Sequence, residues 1–160
     1  MRDCADQIDL LAQLPSLGIT QVEGYGGVYG DVAGYRAAMD ANGITMASGH
    51  MGLDDIEGDF DATMGIVQTL GIKRLFAPYL EEKDRPDTAD GWAALGQRLN
   101  AAAQKYAERG ITFGWHNHDF EFVALADGTT PMDVLLDAAP DIVWEADLAW
   151  IVRGGRDPIE

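Results

Sequence analysis

The sequence is short of cysteine and of basic residues. Its single cysteine, Cys4, cannot form a disulfide within the chain. The 11 lysines and arginines stand against 27 aspartates and glutamates, which gives a net charge of −16 at pH 7. Because nucleic acids and anionic membranes bind proteins through positive surface, this charge disfavours both as partners.

Long apolar segments are also missing. No uninterrupted apolar run approaches the roughly 20 residues that cross a bilayer, and the first residues lack the apolar stretch of a secretory signal. We therefore expect a cytoplasmic protein in a reducing compartment. A chain of 160 residues that is 47% hydrophobic can form one globular domain, to which we assign residues 1–160.

One short pattern occurs four times: a glycine, then an isoleucine, then a threonine or a lysine. The four glycines are Gly18, Gly43, Gly71 and Gly110. Glycine is favoured just after a helix, where the backbone turns left-handed, and the β-branched residues that follow favour an extended chain. Repeated helix-to-strand junctions at such spacing are typical of successive βα units, so the sequence predicts an α/β fold.

Periodicity and capping residues predict the individual elements. Helices are expected over residues 6–17, 31–42 and 59–70, after a cap at Thr88, and from Thr130 and Pro131 onward. Strands are expected at residues 19–24, 44–48, 75–79 and 142–148, and from residue 111 onward. The charged segment 81–90 and the tail 149–160 are predicted to be loops.

The central feature is the stretch from residue 111 to residue 122, which begins as a buried strand. Strand side chains alternate between two faces, so His116 and His118 project together, opposite an apolar face formed by Ile111, Phe113 and Trp115. Parallel α/β folds keep their chemistry at the carboxyl ends of strands. A lone histidine is more often structural, but a His-x-His sequence followed by Asp119 and Glu121 favours a functional site.

The predicted strand at residues 142–148 carries two acids. Glu145 and Asp147 share one parity, opposite the apolar residues of the strand. A carboxylate pair inside a strand is costly to bury unless it meets a cation or shares protons. We therefore favour a functional interpretation over a structural one for these two residues.

The histidines and acids together predict a metal site. Mixed imidazole and carboxylate ligands suit manganese, zinc, iron or cobalt, and magnesium is less favoured because it prefers oxygen. Such an ion would polarise a carbonyl and its neighbouring hydroxyl, while a carboxylate or imidazole removes the proton from the carbon between them. This is ketose chemistry: isomerisation, epimerisation or dehydration through an enediolate.

Three further residues have two interpretations each. Glu23 ends a predicted strand and is either a carboxylate of the site or a solvated loop acid. The direction of His50 does not follow from strand parity, because glycines flank it closely. Arg153 either holds an anionic or polyhydroxylated substrate or pairs with one of the abundant acids.

Two segments resemble the sugar phosphate isomerase/epimerase family of the xylose isomerase-like TIM barrels. They are residues 114–122, Gly-Trp-His-Asn-His-Asp-Phe-Glu-Phe, and residues 145–158, which run from Glu-Ala-Asp-Leu-Ala-Trp to Gly-Gly-Arg-Asp-Pro. The resemblance implies an eight-stranded barrel with a divalent ion, often manganese, at the strand ends. It places His116 where relatives carry a glutamate ligand, and Asp147 on an aspartate ligand.

The resemblance also has implications for other positions. Glu23 and His50 match strand-end positions that line the family's pocket. Trp150 stands where the related endonuclease IV enzymes have a histidine, which speaks against a multi-zinc DNA-repair site. Only the second to sixth strands are recognised, so the resemblance implies an incomplete barrel, and its open edges favour association into a homo-oligomer.

The predicted function is a metal-dependent isomerase, epimerase or dehydratase that acts on a keto-sugar, sugar phosphate or polyol. The expected ion is Mn²⁺, with Zn²⁺, Co²⁺, Fe²⁺ or Mg²⁺ as alternatives. The predicted residues are His116 and Asp147 as metal ligands, Glu145, His118 and Glu121 as acid/base groups, and Glu23, His50, Asn117, Trp150 and Arg153 as substrate-binding residues. Two alternatives are a noncatalytic barrel remnant with a sugar-binding or assembly role and, less favoured, an endonuclease IV-like DNA-repair enzyme.

Overall fold

The computed structural model describes residues 7–159, in which strands and helices alternate along the chain. The five strands are β1 (Gln21–Gly24), β2 (Thr45–His50), β3 (Arg74–Ala77), β4 (Thr112–His116) and β5 (Val143–Glu145). The seven α-helices are α1 (Gln7–Leu11), α2 (Val32–Ala41), α3 (Leu53–Glu57), α4 (Phe60–Leu70), α5 (Ala89–Ala107), α6 (Pro131–Ala138) and α7 (Leu148–Arg153). The predicted α/β class is confirmed.

The chain divides into two compact units, with the boundary between Leu75 and Phe76 inside β3. In the first unit β1 pairs with β2 in parallel, and the register shifts between Val22 and Glu23. In the second unit β4 pairs with β5 in parallel, and Trp115 lies opposite Trp144. Parallel pairing joined through helices is the arrangement that the repeated βα pattern predicts.

The four glycines of the repeated pattern mark helix ends as predicted. Gly18, Gly43, Gly71 and Gly110 have φ angles of 76°, 63°, 85° and 73°, in the left-handed region that glycine enters without a steric penalty. Gly71 shows the consequence for α4, because its N–H donates to the carbonyl of Val67 and closes the last turn. The glycine pattern therefore acts through backbone conformation.

The predicted helix caps are also present. The side chain of Thr88 accepts a hydrogen bond from the N–H of Gly91 at the start of α5. Thr130 accepts from the N–H of Asp133, and Pro131 takes the first position of α6. Each cap satisfies one backbone donor that has no partner within its helix.

Several sequence-based boundaries are wrong. The first predicted helix is two elements, α1 and a 3₁₀ helix at Leu14–Leu17, because Pro15 cannot donate a backbone hydrogen bond; its first residue, Asp6, lies outside the described residues. The strand predicted to reach residue 148 ends at Glu145. The tail was predicted as a loop but contains α7, and the segment 81–90 contains a short 3₁₀ helix and the start of α5.

The core of the second unit lies between α5 and β4. Trp92 and Leu99 of α5 are buried, and Tyr106 stacks on Phe113 of β4 with ring centroids 5.8 Å apart. The apolar parity of β4 is confirmed, since Ile111, Phe113 and Trp115 are all buried. Among the helices of residues 7–159, none combines the length and apolar character needed to cross a membrane.

Candidate active site

His116 and Glu145 form an imidazole–carboxylate pair across β4 and β5. The two residues are register partners, so their side chains leave the parallel strands on the same face. His116 Nδ1 lies 2.9 Å from Glu145 Oε2, and the side chains are 14% and 27% exposed. Gly114 allows this close approach, because a Cβ at that position would lie 2.1 Å from the carbonyl oxygen of Val143.

Asn117 joins the end of β4 to the segment between β5 and α7. It is fully buried. Its Oδ1 accepts hydrogen bonds from Trp144 Nε1 at 2.8 Å and from the N–H of Asp147 at 2.9 Å, and its Nδ2 donates to the carbonyl of Asp147 at 3.2 Å. The amide is thus bonded to the chain itself, which gives Asn117 a positioning role. Its predicted substrate-binding role stays a prediction.

Asp147 lies beyond the end of β5, at the start of α7. Its Oδ1 accepts hydrogen bonds from the N–H groups of Ala149 at 2.9 Å and Trp150 at 3.1 Å, so the carboxylate caps the helix. Strand alternation predicted that Asp147 and Glu145 project from the same face of one strand. The prediction does not apply to Asp147, because β5 ends at Glu145. The predicted metal-ligand role of Asp147 stays a prediction.

His118 lies in an aromatic cluster that we define as Tyr79, Phe120 and Trp150. Its ring centroid is 5.0 Å from that of Tyr79, 6.0 Å from that of Phe120 and 4.8 Å from that of Trp150. The ring of His116 is 5.3 Å away, so the two histidines lie side by side as predicted. Within the described residues, the buried His118 Nδ1 has no hydrogen-bond partner.

The surroundings of His118 favour its neutral form. Burial lowers the pKa of the His118 imidazole, and the nearby His116 lowers it further. The acids Asp119 and Asp147 act in the opposite direction, and Arg85 adds to the lowering. A neutral imidazole with an unsatisfied buried nitrogen is equipped to exchange a hydrogen bond or a proton with a bound molecule.

Glu121 is a fully buried carboxyl group in the 3₁₀ turn Phe120–Phe122. Its Oε1 accepts a hydrogen bond from Trp115 Nε1 at 3.0 Å, and its Oε2 accepts from the N–H of His118 at 2.9 Å. Burial raises the pKa of Glu121 to about 7, although these hydrogen bonds and Arg85 lower it. A direct acid/base role for this residue stays a prediction.

Tyr79 and Arg85 belong to the same region and were missed by the sequence analysis. Arg85 donates to the Tyr79 hydroxyl at 2.7 Å, and its guanidinium lies 3.7 Å from the ring centroid of Phe120. Tyr79 follows β3 closely, and a position just after a strand was the available signal. Arg85 stands in the segment that was read as a solvated loop, where its contacts depend on the tertiary fold.

Arg153 pairs with an acid, which was one of its two predicted interpretations. Its Nε donates to Asp119 Oδ2 at 2.7 Å, and its guanidinium lies 5.1 Å from the ring centroid of Trp150. The side chain of Arg153 is 68% exposed. Substrate binding by Arg153 and Trp150 stays a prediction.

The first unit holds a second imidazole–carboxylate pair. His50, the last residue of β2, places its Nε2 3.4 Å from Glu23 Oε2 of β1. Tyr29 donates to the carbonyl of His50 at 3.0 Å. Burial, and then the charge of Glu23, raises the pKa of the Tyr29 hydroxyl above its usual value. The structure thus supplies the direction of His50 that strand parity left open.

The donors in the second unit suit a divalent metal ion. A histidine that binds a metal through one ring nitrogen commonly donates its other N–H to a carboxylate, which orients the ring. His116 and Glu145 have this relationship if Nδ1 carries the proton, because the lone pair then lies on Nε2. Imidazole with carboxylate also matches the ligand preference of manganese and zinc.

These features define a class: an α/β protein with parallel strand pairs whose carboxyl ends carry imidazole–carboxylate pairs. Comparison with solved structures identifies the fold. A sugar phosphate isomerase/epimerase from Parabacteroides distasonis has a TM-score of 0.81 and 22% identity over 96% of this chain and 64% of its own. A probable 3-DHS dehydratase from Bacillus anthracis has a TM-score of 0.70 and 12% identity, over 99% and 64% of the two chains.

A xylose isomerase domain protein from Alicyclobacillus acidocaldarius has a TM-score of 0.60 and 15% identity over 96% of this chain and 63% of its own. Other matched structures are named D-psicose 3-epimerase and AP endonuclease, family 2. No protein-family model matches the sequence, and neither does any curated protein. The chain has the fold of the xylose isomerase-like TIM barrels and spans less than two thirds of the length of these three structures.

Proposed function

We propose that this chain is part of a metal-dependent enzyme that isomerises, epimerises or dehydrates a keto-sugar, sugar phosphate or polyol. The observation that carries the proposal is the His116–Glu145 pair at the carboxyl ends of β4 and β5, beside His118. The names of the matched structures, which include isomerases, epimerases and a dehydratase, support the same general kind of chemistry. The chain's own substrate and activity are part of the proposal.

His116 would hold the ion, with Glu145 as the carboxylate that orients its ring. Asp147 is the second proposed ligand, from the start of α7. A bound Mn²⁺ or Zn²⁺ would supply a positive charge that polarises a substrate carbonyl and the neighbouring hydroxyl. Manganese is the proposed ion because the donors mix nitrogen and oxygen.

His118 is the proposed proton acceptor. Its buried Nδ1 would take the proton from the hydroxyl-bearing carbon next to the carbonyl. The carbon–hydrogen electron pair would form the double bond of an enediolate, and the carbonyl electron pair would move onto the carbonyl oxygen. Return of the proton to the neighbouring carbon completes an isomerisation, and delivery of a proton to the opposite face by a second acid completes an epimerisation. Loss of the hydroxyl group from the next carbon as water, with the proton supplied by His118, completes a dehydration. Tyr79, Phe120 and Trp150 would exclude water from this nitrogen.

The test is proton exchange on a ketose. The chain is incubated with MnCl₂ and D-fructose, or D-fructose 6-phosphate, in D₂O, and loss of the proton next to the carbonyl is followed by ¹H NMR. We expect exchange that His118→Asn abolishes, while the exposed-site control Glu82→Gln retains it. If the chain binds manganese and either sugar but exchanges no proton, the enzyme proposal fails.

A noncatalytic sugar-binding or assembly role is the second candidate, favoured by the short span of the chain relative to the matched structures. It predicts sugar binding that is independent of metal. DNA repair is the third, since one matched structure is an AP endonuclease. It predicts affinity for abasic DNA that weakens steeply with salt, which the net charge of −16 argues against. Homo-oligomer formation stays a prediction.

A further inference from the structure

Glu121 is completely buried and accepts two hydrogen bonds from the chain. Its carboxyl oxygens accept one hydrogen bond each, from the Trp115 indole at 3.0 Å and from the N–H of His118 at 2.9 Å. Its exposure is 0%, and both of its carboxyl oxygens are already engaged by donors of the chain, unlike the His118 Nδ1 atom. The geometry is that of a group that holds other residues.

The held residue is His118. Strand β4 ends at His116, and the side chain of the next residue, Asn117, forms hydrogen bonds with the backbone N–H and carbonyl of Asp147. The N–H of His118 donates a hydrogen bond to Glu121. His118 is therefore anchored on its own backbone and through its neighbour, in a turn that regular strand hydrogen bonding no longer supports.

The ring position depends on this backbone anchor. The His118 ring contacts Tyr79, Phe120 and Trp150, and Phe120 belongs to the same 3₁₀ turn as Glu121. If the His118 N–H lost its acceptor, the turn could relax and the ring could move relative to this cluster. Both oxygens of a glutamate accept hydrogen bonds here, whereas an amide has one acceptor oxygen, so a glutamate suits this position better than an amide.

We propose that Glu121 is a positioning residue: through the His118 N–H and the Trp115 indole, it holds the His118 ring in its aromatic cluster and does not touch substrate. This inference deepens the proposed function, because the importance of a fixed His118 ring rests on that function. It replaces a direct acid/base role for Glu121 with an indirect one. It also explains why a fully buried acid stands in the turn directly after the histidine strand.

The first measurement needs no variant. Hydrogen exchange of the His118 backbone amide is measured by NMR on the metal-free chain. We expect strong protection, because the amide donates to a buried carboxylate. Exchange at the rate of a solvated amide overturns the proposal.

The second measurement uses ¹⁵N-labelled histidine. The chain has 3 histidines, so the imidazole signals are few and are assigned by His50→Asn and His118→Asn. In Glu121→Gln the amide can accept from only one of the two N–H donors. We expect the His118 amide to exchange about tenfold faster or more, and its imidazole signals to shift, while those of His50 stay in place. The exposed Glu82→Gln variant is the control.

The variants can also contradict the positioning role of Glu121. A folded Glu121→Gln chain with unchanged His118 signals contradicts the proposal. If Glu121→Gln does not fold, Trp115→Phe removes one donor only, and the His118 amide must then stay protected; its loss of protection contradicts the proposal. In the D-fructose assay, Glu121→Gln should lower kcat by about 10²-fold with little change in KM. If the chain shows no proton exchange on D-fructose but the His118 NMR signals change as expected, the proposed function is contradicted and the positioning role is not.

Discussion

His116 and Glu145 are register partners on neighbouring parallel strands, and their side chains meet with Nδ1 2.9 Å from Oε2. In the first unit, Glu23 and His50 form a comparable pair across β1 and β2. Each unit therefore places an imidazole beside a carboxylate at the carboxyl ends of two strands. Both pairs lie where parallel α/β folds keep their chemistry.

Glu145→Gln should weaken manganese binding by about 10- to 100-fold, because the ring of His116 loses the carboxylate that orients it. Titration calorimetry with MnCl₂ measures the change. His116→Ala should remove the binding altogether. Glu82→Gln, which changes an exposed acid in the same unit, should leave the affinity as it is. Equal affinity in the Glu145→Gln and Glu82→Gln variants would contradict the assignment.

Asn117→Ala should lower the free energy of unfolding by about 2 to 4 kcal/mol, because the Trp144 indole and the Asp147 N–H both lose their acceptor. Urea denaturation measures the loss. Asn100→Ala is the matched control: its amide bonds to Asp141 in a solvent-exposed setting, and its removal should cost less than about 1 kcal/mol. Similar losses of unfolding free energy in both variants would show that the buried hydrogen bonds of Asn117 stabilise the fold no more than the exposed ones of Asn100.

Gly114→Ala should destabilise the β4–β5 pair. The added Cβ would lie 2.1 Å from the carbonyl oxygen of Val143 and 2.8 Å from its Cγ2, so the strands must separate. We expect a loss of about 1 to 3 kcal/mol, and weaker manganese binding because His116 and Glu145 move apart. Gly65→Ala is the control, since Gly65 lies within α4 with open space around it and alanine favours helix by about 1 kcal/mol. An unchanged free energy of unfolding in Gly114→Ala would contradict the close approach of Gly114 to the backbone of Val143.

Glu121 should make stability depend on pH. Burial raises its pKa to about 7 in the folded chain, above the value of about 4.3 in an unfolded one. As pH rises, the unfolded chain releases its proton first, so the free energy of unfolding falls by roughly 3 kcal/mol between about pH 4.5 and 7. Below this window the group is protonated in both states and the loss is absent.

The measurement is urea denaturation at several pH values from 5 to 8, on the original chain and on Glu121→Gln. The variant should be less stable at pH 5, because one N–H loses its acceptor, and the difference should shrink as pH rises. Glu82→Gln should follow the original chain at every pH. A constant difference across the window would show that Glu121 does not titrate there.

Much of the fold could be predicted from the sequence, because the relevant forces are local. The positive φ angles at Gly18, Gly43, Gly71 and Gly110 follow from the freedom of glycine, whatever packs nearby. The caps at Thr88 and Thr130 are bonds to N–H groups three residues on. The wrong predictions of secondary structure also concern local features. Pro15 divides the first predicted helix, and residues 148–153, predicted as a loop, form a helix capped by Asp147.

The candidate site was less predictable. His116 and His118 lie side by side as the sequence predicts, but β4 ends at His116, so contacts of the following turn place His118 there. Strand parity offered Glu145 and Asp147 as equivalent partners, and only the β4–β5 register shows that Glu145 lies opposite His116. The sequence indicates only a loop charge at Arg85, because its contact with Phe120 joins segments that are distant in sequence.

By itself, the sequence determined the order of the five strands and of helices α2, α4, α5 and α6, the caps of α5 and α6, and the residue types that approach the carboxyl ends of the strands, because each depends on neighbours within a few positions. Tertiary structure alone decided which imidazole meets which carboxylate, and that the acid of the histidine turn is buried against Trp115 and the His118 N–H. The physical reason is that hydrogen-bond partners and desolvation are set by chain segments packed together, and no local pattern encodes that packing.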